Sequence, residues 1–342
     1  MRQLTYVEAG QVAWQDAPDP EVADPQGAIV RPLAVARCDL DPIMAGFGIF
    51  PGPFAVGHET VAEIVAVGDD VRDRRVGERV LVPFQVSCGS CAACLDGRFA
   101  ACHTYRAKAG AAFGFGDAGG GHGGAVADLL AVPHADHLLI AAPAGLGAAA
   151  LCTLPDNVTD GYRAVAPQLA AKPGAEVLVV GGAAASIGLY AVAAAIACGA
   201  GRVRYADSDS GRCAAATALG AEVTHLDGPW PRRLERAPIV VENTADVDGL
   251  ACALRSTGDY GTCTSVAIHF APTTPMPLLE LYTKGITYHL SRADSRRFLP
   301  EVIDLAASGA LDPLAVPTTI VPWDQADEAW LEPATKLVLE RA

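Results

Sequence analysis

The sequence predicts an α/β chain in which a doubly wound parallel sheet is joined to a mostly-β unit bearing a four-cysteine lobe. Three observations carry this. Between about 155 and 285, short apolar strands alternate with alanine-rich helices, the pattern of a parallel sheet covered on both faces. Residues 1–150 read as short β segments separated by turns. Cys88-x2-Cys91-x2-Cys94-x7-Cys102 then gathers four thiols into one short stretch.

In the β-rich part, Thr60–Val67 alternates and ends at the turn Gly68-Asp69-Asp70, and Arg79–Pro83 is a short strand closed by proline. Gly110–Gly124, with eight glycines and one histidine, reads as a mobile loop bordering a pocket. In the alternating part, Val158–Leu169 is helical and Lys172-Pro173-Gly174-Ala175 turns the chain. Glu176–Val180 is a buried strand, and Ser186–Cys198 a helix that Gly199 ends. Arg202–Ala206 is the next strand, followed by a helix over Gly211–Leu219 closed by Gly220. Val223–Leu226, Ile239–Glu242 and Cys263–Ile268 supply further strands. From about 286 the chain is β-like again, apart from a helix over Phe298–Ala307. The expected domains are therefore 1–153 with 286–342, and 154–285.

The 342 residues are 51% hydrophobic, enough for two domains with a large core. A formal net charge of -14 argues against nucleic acid and anionic membrane surfaces, which need clustered Lys and Arg. The opening MRQLTYVEAGQVAW has no apolar signal region, and stretches such as Val177–Val180 and Leu189–Ala197 are too short to span a bilayer. Ten cysteines without a secretion signal point to reduced thiols and metal in the cytoplasm. Cys198, Cys213 and Cys252, set among Ala and Leu, read as small core residues.

Four closely spaced thiolates suit a closed, structural Zn²⁺ site. An iron–sulfur cluster is the rival. The usual cluster run has three residues before its last cysteine and then proline, whereas here seven intervene and Leu95 follows Cys94. Disulfides are the third reading.

The stretch from Val177 to Gly188 is a strand, a small-residue turn and a helix start. Small residues let backbone N–H groups approach a pyrophosphate, and the helix N-terminus favours its charge. A loop running from Gly182 through Ala185, Ser186 and Ile187 to Gly188 is one residue longer than the plain GxGxxG pattern. Asp207 closes the next strand, 19 residues after Gly188. An acid there can bind ribose hydroxyls and repel a 2′-phosphate, which favours NAD over NADP. The alternative for Asp207 is a helix cap, and Arg204 and Arg212 nearby keep NADP open.

Two further segments, Cys38-Asp39-Leu40-Asp41 and Gly57-His58-Glu59, bring metal-ligating residue types. Together with Val76-Gly77-Glu78-Arg79-Val80, the four-cysteine lobe, the dinucleotide loop with Asp207, Lys284-Gly285 and Ser308-Gly309-Ala310-Leu311-Asp312-Pro313, they make the chain resemble the zinc-dependent medium-chain dehydrogenase/reductase family nearly end to end. The family includes alcohol, polyol and threonine dehydrogenases.

The resemblance implies a GroES-like catalytic domain and a Rossmann NAD-binding domain, with two zincs per chain. The catalytic zinc would be held by Cys38, His58 and a third ligand, and Cys88, Cys91, Cys94 and Cys102 would hold the structural one. Asp156, six residues before Tyr162-Arg163-Ala164, fits the third position, with Cys152 as its rival. Glu59 resembles the family's acid behind the metal, and Asp41 the carboxylate that orients the histidine ligand. The implied reaction passes hydride between an alcohol or polyol, or the matching carbonyl, and NAD(H), in a homo-dimer or homo-tetramer. Leu40 departs from the pattern: most relatives carry Ser or Thr there to start a proton relay, and Leu cannot carry a proton. Ile43, where some relatives carry a relay His, gives no help. Water, Glu59 or the cofactor ribose is then left to carry the proton.

His122 is read either as reaching substrate or as a solvent-exposed loop residue, and His103 as a bystander beside Cys102. Phe47, Phe50 and Phe54 stand as pocket or core residues. Two other functions stay open at this point. One is a zinc-independent quinone- or enal-type reductase. The other is a non-catalytic zinc- and NAD(H)-binding redox sensor.

Overall fold

The computed structural model describes residues 1–108 and 110–341. Its contacts divide the chain into two compact units. One comprises Met1–Thr159, Asp294–Gly309 and Thr318–Ala342; the other comprises Asp160–Ala293 and Ala310–Pro317.

The first unit is built on a mostly antiparallel sheet. Its central strand Ala28–Arg37 lies between Lys336–Glu340 and Glu59–Val67; beyond Glu59–Val67 come Arg79–Val82 and Ile140–Ala141. Thr318–Pro322 pairs in parallel with Lys336–Glu340, and Leu130–Val132 pairs antiparallel with the start of the central strand. The apolar faces close on one core that includes Val30, Val35, Ile64, Val80, Leu139 and Trp330. Burying this apolar surface is what holds the unit together.

Gly110–Gly124 differs from the expected mobile loop. Ala111, Ala112, Phe113 and Phe115 are buried, and Phe113 is completely so. The glycines serve close packing. Gly114, at φ +76°, lies so near Gly57 that a Cβ would come within 2.9 Å of its carbonyl oxygen. His122 is half-buried and meets Tyr105 and Phe113 edge-on, so it is not the solvent-exposed histidine of the sequence reading.

The second unit is a six-stranded, wholly parallel sheet. In sheet order the strands are Glu222–His225, Arg202–Asp207, Glu176–Val180, Ala237–Glu242, Thr257–Ser265 and Thr287–Leu290. In chain order this is 3-2-1-4-5-6, the doubly wound dinucleotide-binding arrangement. The helices Ala185–Ala197, Ser210–Leu219 and Val247–Ser256 supply crossovers. The crossover from His225 to Ala237 has no helix; Trp230 and Leu234 pack on the core in its place.

Two elements lie differently from the sequence reading. Thr287–Leu290 is the last strand of the parallel sheet, which therefore runs past the expected boundary at 286. Asp156, expected inside 154–285, belongs by its contacts to the first unit. A strand pairing decides the first and contacts distant in the chain decide the second, and no local pattern reveals either.

The Lys284-Gly285 pair has a structural reason. Lys284 is buried, and its Nζ donates to the carbonyls of Leu254 at 2.9 Å, Arg255 at 3.1 Å and Thr257 at 2.6 Å. It thus serves the C-terminal end of the helix Val247–Ser256, whose last carbonyls have no partner within the helix. Gly285 at φ +63° then ends the helix Leu278–Lys284. Replacing Lys284 by Met orphans those carbonyls and is expected to lower stability by about 2–3 kcal/mol. Urea unfolding should show this as a lower midpoint at unchanged slope.

Candidate active site

The central strand Ala28–Arg37 delivers Cys38 at its end, and the short helix Asp41–Phe47 starts three residues later. Asp41 is buried at the head of that helix, and its Oδ2 accepts the Cys38 N–H at 2.9 Å. The Leu40 N–H lies 3.5 Å from Cys38 Sγ and donates to it. Across the sheet, His58 leads into the strand Glu59–Val67. Gly57 before it has φ +94°, and a Cβ there would come within 2.7 Å of Val126 Cγ2, so the Gly-His-Glu order is required by packing.

The rings of Phe84 and Phe115 flank His58, each with its centroid 5.2 Å away. Phe115 comes from the glycine-rich segment, which gives that segment its place beside the site. The Nδ1 edge of His58 faces Asp41 Oδ1 at 3.6 Å, and Nε2 faces Asp156 Oδ2 at 3.3 Å. Asp156 sits in a π-helical turn, Leu154–Val158. Such turns are rare and recur at functional sites, because the extra residue re-aims a side chain.

Ligand atoms of Cys38, His58, Glu59 and Asp156 all lie within 4.8 Å of one another, and all four residues are buried. Cys152 stands outside this group; its thiol donates to the Ala149 carbonyl at 3.3 Å. Acids outnumber bases here: Asp41, Glu59, Asp156 and the Cys38 thiol gather around His58 and the Lys336 ammonium. Burial and the nearby carboxylates of Asp156, Glu59 and Asp41 push the Cys38 thiol far up. Burial likewise raises Asp41, against the pull of His58. Burial opposes charge on His58, yet Asp41, Asp156 and Glu59 together lift its pKa to about 9. A thiol, an imidazole and the carboxylates of Glu59 and Asp156 form a donor set suited to a divalent cation with N, O and S ligands.

Lys336 escaped the sequence reading. Its Nζ bonds Glu59 Oε1 at 2.7 Å and Oε2 at 2.9 Å, and both side chains are fully buried. The only local hint was a lysine opening the otherwise apolar strand Lys336–Glu340.

In the four-cysteine lobe, Sγ–Sγ separations are 4.0 Å for Cys88–Cys94, 3.9 Å for Cys91–Cys102 and 3.6 Å for Cys88–Cys102. The edge of a tetrahedron with Zn–S bonds of 2.3 Å is about 3.8 Å. All ten cysteines are free thiols. Cys88 accepts from the Cys91 N–H at 3.4 Å and from Thr104 Oγ1 at 3.2 Å. Burial resists the thiolate, but these donors and Ser90 bring its pKa down to about 5. The His103 N–H donates to Cys91 Sγ at 3.2 Å while its side chain is exposed, so its part here is through its backbone. Of the three phenylalanines, Phe47 is exposed, Phe50 packs on Phe115, and Phe54 is buried against Tyr6.

In the second unit, Gly181 to Ala184 turn from the strand Glu176–Val180 into the helix Ala185–Ala197, which begins with no capping side chain at Ala184. Gly182, at φ +157°, passes so close to Thr244 that a Cβ would lie 2.6 Å from its Cα. At Gly188 a Cβ would come within 2.0 Å of Asn243 Nδ2, so this glycine permits close helix–sheet packing. Ser186 and Ile187 are buried in the first turn. Asp207 ends the neighbouring strand beside this turn. Its carboxylate accepts from Arg212, Tyr205 and the Asp209 N–H, so it does not cap the next helix; Asp209 does, taking the Arg212 N–H at 2.7 Å. Arg204 pairs instead with Glu176, away from Asp207.

Residues 24–144 match the alcohol dehydrogenase GroES-like domain family. The chain is 32% identical over 337 residues to a probable zinc-binding alcohol dehydrogenase of Mycobacterium tuberculosis, covering 96% of this chain and 84% of that protein. It is 33% identical over 275 residues to the glutathione-independent formaldehyde dehydrogenase of Pseudomonas aeruginosa, covering 76% and 68% of the two chains. Among solved structures, the alcohol dehydrogenase of Thermus sp. ATN1 superposes with a TM-score of 0.89 at 26% identity, over the full length of both chains. With its two clusters of metal-ligating side chains and its six-stranded dinucleotide-type sheet, the chain belongs to the zinc-dependent medium-chain dehydrogenase family.

Proposed function

We propose that this oxidoreductase passes hydride between an alcohol or polyol and NAD(H), with Cys38, His58 and Asp156 holding a catalytic zinc and Cys88, Cys91, Cys94 and Cys102 a structural one. The observation that carries the reading is the meeting of Cys38, His58, Glu59 and Asp156 in one buried pocket, from chain positions 118 residues apart. Zn²⁺ bound there supplies Lewis acidity to the substrate oxygen and lowers the pKa of an alcohol. Asp41 faces Nδ1 of His58 and so leaves Nε2 turned toward Asp156 and Cys38. Lys336 holds Glu59 by both oxygens and keeps it behind the three proposed ligands. Phe84 and Phe115 keep water from the histidine.

Leu40 offers no hydroxyl to the departing proton; it contributes a backbone N–H to Cys38 Sγ and packs its side chain on the core. The small-residue loop from Gly182 to Gly188 and the uncapped start of the helix Ala185–Ala197 support pyrophosphate binding in the second unit. The exposed edge strand Thr287–Leu290, with Leu278, Leu279 and Tyr282 exposed nearby, supports a homo-dimer or homo-tetramer. Among the described residues, no helix is long and apolar enough to cross a membrane.

Metal analysis of the purified protein is expected to find about two zincs per chain. Asp156→Asn should lose about one of them, and at least about 100-fold in kcat/KM, while keeping its fold. Cys94→Ser should also lose about one zinc, but with a lowered melting temperature as its main effect. A panel of alcohols, polyols and sugars, read by NAD(P)H absorbance, tests the activity; no turnover in zinc-replete protein sinks the reading. If proton exit limits the rate, Leu40→Ser should raise kcat several-fold, and an unchanged kcat at full zinc content places the slow step elsewhere.

A further inference from the structure

The reading of Asp207 as the acceptor for the adenosine ribose meets an obstacle in its surroundings. Asp207 is 1% exposed and its carboxylate already accepts four hydrogen bonds. Arg212 donates twice, Nε to Oδ2 at 2.7 Å and Nη2 to Oδ1 at 2.8 Å. The Tyr205 hydroxyl donates to Oδ2 at 2.6 Å, and the Asp209 N–H to Oδ1 at 3.0 Å. A carboxylate has about four lone-pair sites, so none is left for a ribose diol. Freeing one means opening a bidentate arginine fork, among the stronger polar contacts a protein makes. The other route leaves the fully buried Tyr205 with its hydroxyl unpaired.

We infer that the choice between NAD(H) and NADP(H) is made by the exposed Asp209 together with the half-buried Arg212, and that Asp207 serves as the anchor holding Arg212 in place. This rests on the dehydrogenase reading and deepens it. The Asp207 charge is matched by the guanidinium, so a 2′-phosphate does not meet an unpaired carboxylate at that point. The part of Arg212 not spent on Asp207 is Nη1, which stands 3.8 Å from Asp209 Oδ2. The Asp209 side chain is 48% exposed, and that of Arg212 24%. A ribose diol finds an acceptor in Asp209, and a 2′-phosphate finds a donor in Arg212. The sequence signal is Tyr205 itself. It lies two residues before Asp207, on the same face of its strand, and fills the acceptor from inside. On this inference the preference for NAD that Asp207 alone would give is weakened, and the chain takes both cofactors.

The test is direct binding of NADH and NADPH to the zinc-loaded protein, followed by energy transfer from tryptophan to the nucleotide. The two dissociation constants are expected within about tenfold of each other. Arg212→Leu should weaken NADPH by at least about tenfold and NADH by less than about threefold. Asp209→Asn keeps the helix cap but loses the free carboxylate oxygen, and should tighten NADPH by about fivefold while weakening NADH by at least about threefold. Because Asp209 is exposed, this variant reports even if Arg212→Leu does not fold. A wild-type preference for NADH above about 100-fold that Asp207→Asn abolishes would overturn the proposal, since Asp207 would then read the ribose itself. Binding of neither nucleotide would remove the dehydrogenase reading, and the proposal with it.

Discussion

Asp41, Glu59, Asp156 and the Cys38 thiol are held together where water cannot screen them, and the first unit is arranged around that fact. Carboxylates at such depth persist only when cations or hydrogen-bond donors meet them. Lys336 answers Glu59, the Cys38 N–H answers Asp41, and His58 stands between Asp41 and Asp156. What remains is a cluster of ligand atoms with too little positive charge among them, the electrostatic condition a divalent ion satisfies. The strand order follows the same need. Ala28–Arg37 lies between Glu59–Val67 and Lys336–Glu340, so the strand ending at Cys38 separates the acid from its lysine in the sheet.

Close packing sets the geometry around this charge. Gly57 and Gly114 approach each other more nearly than side chains allow, and that approach brings Phe115 onto the face of His58. The π-helical turn at Leu154–Val158 does the corresponding work for Asp156. In the second unit Gly182 and Gly188 again mark places where backbone comes close, here to the end of the strand Ala237–Glu242.

Much of the candidate site could be read from the chain. Metal-ligating residue types at short spacing survive as signals because one small loop must supply them, as at Cys88 to Cys102. The alternation of strand and helix is equally local, and its elements appear within a few residues of where the periodicity puts them. The glycine-rich segment reads as a mobile loop from composition yet is largely buried, since composition alone does not tell a glycine needed for freedom from one needed for closeness. Lys336 was missed because its partner lies 277 residues away. The acid at the end of the second strand was found, but its engagement by Tyr205 and Arg212 was not.

By itself, then, the sequence determined the residue types and the elements that carry them: the four-thiol lobe, the cysteine and histidine segments, the dinucleotide loop and the alternating strands. These follow from local spacing and periodicity, which the chain carries along its length. Only the tertiary structure decided which groups are neutralised by which. Whether Glu59 or Asp207 is available depends on side chains brought in from other strands and helices, and electrostatics at close range is settled by distance in space rather than along the chain.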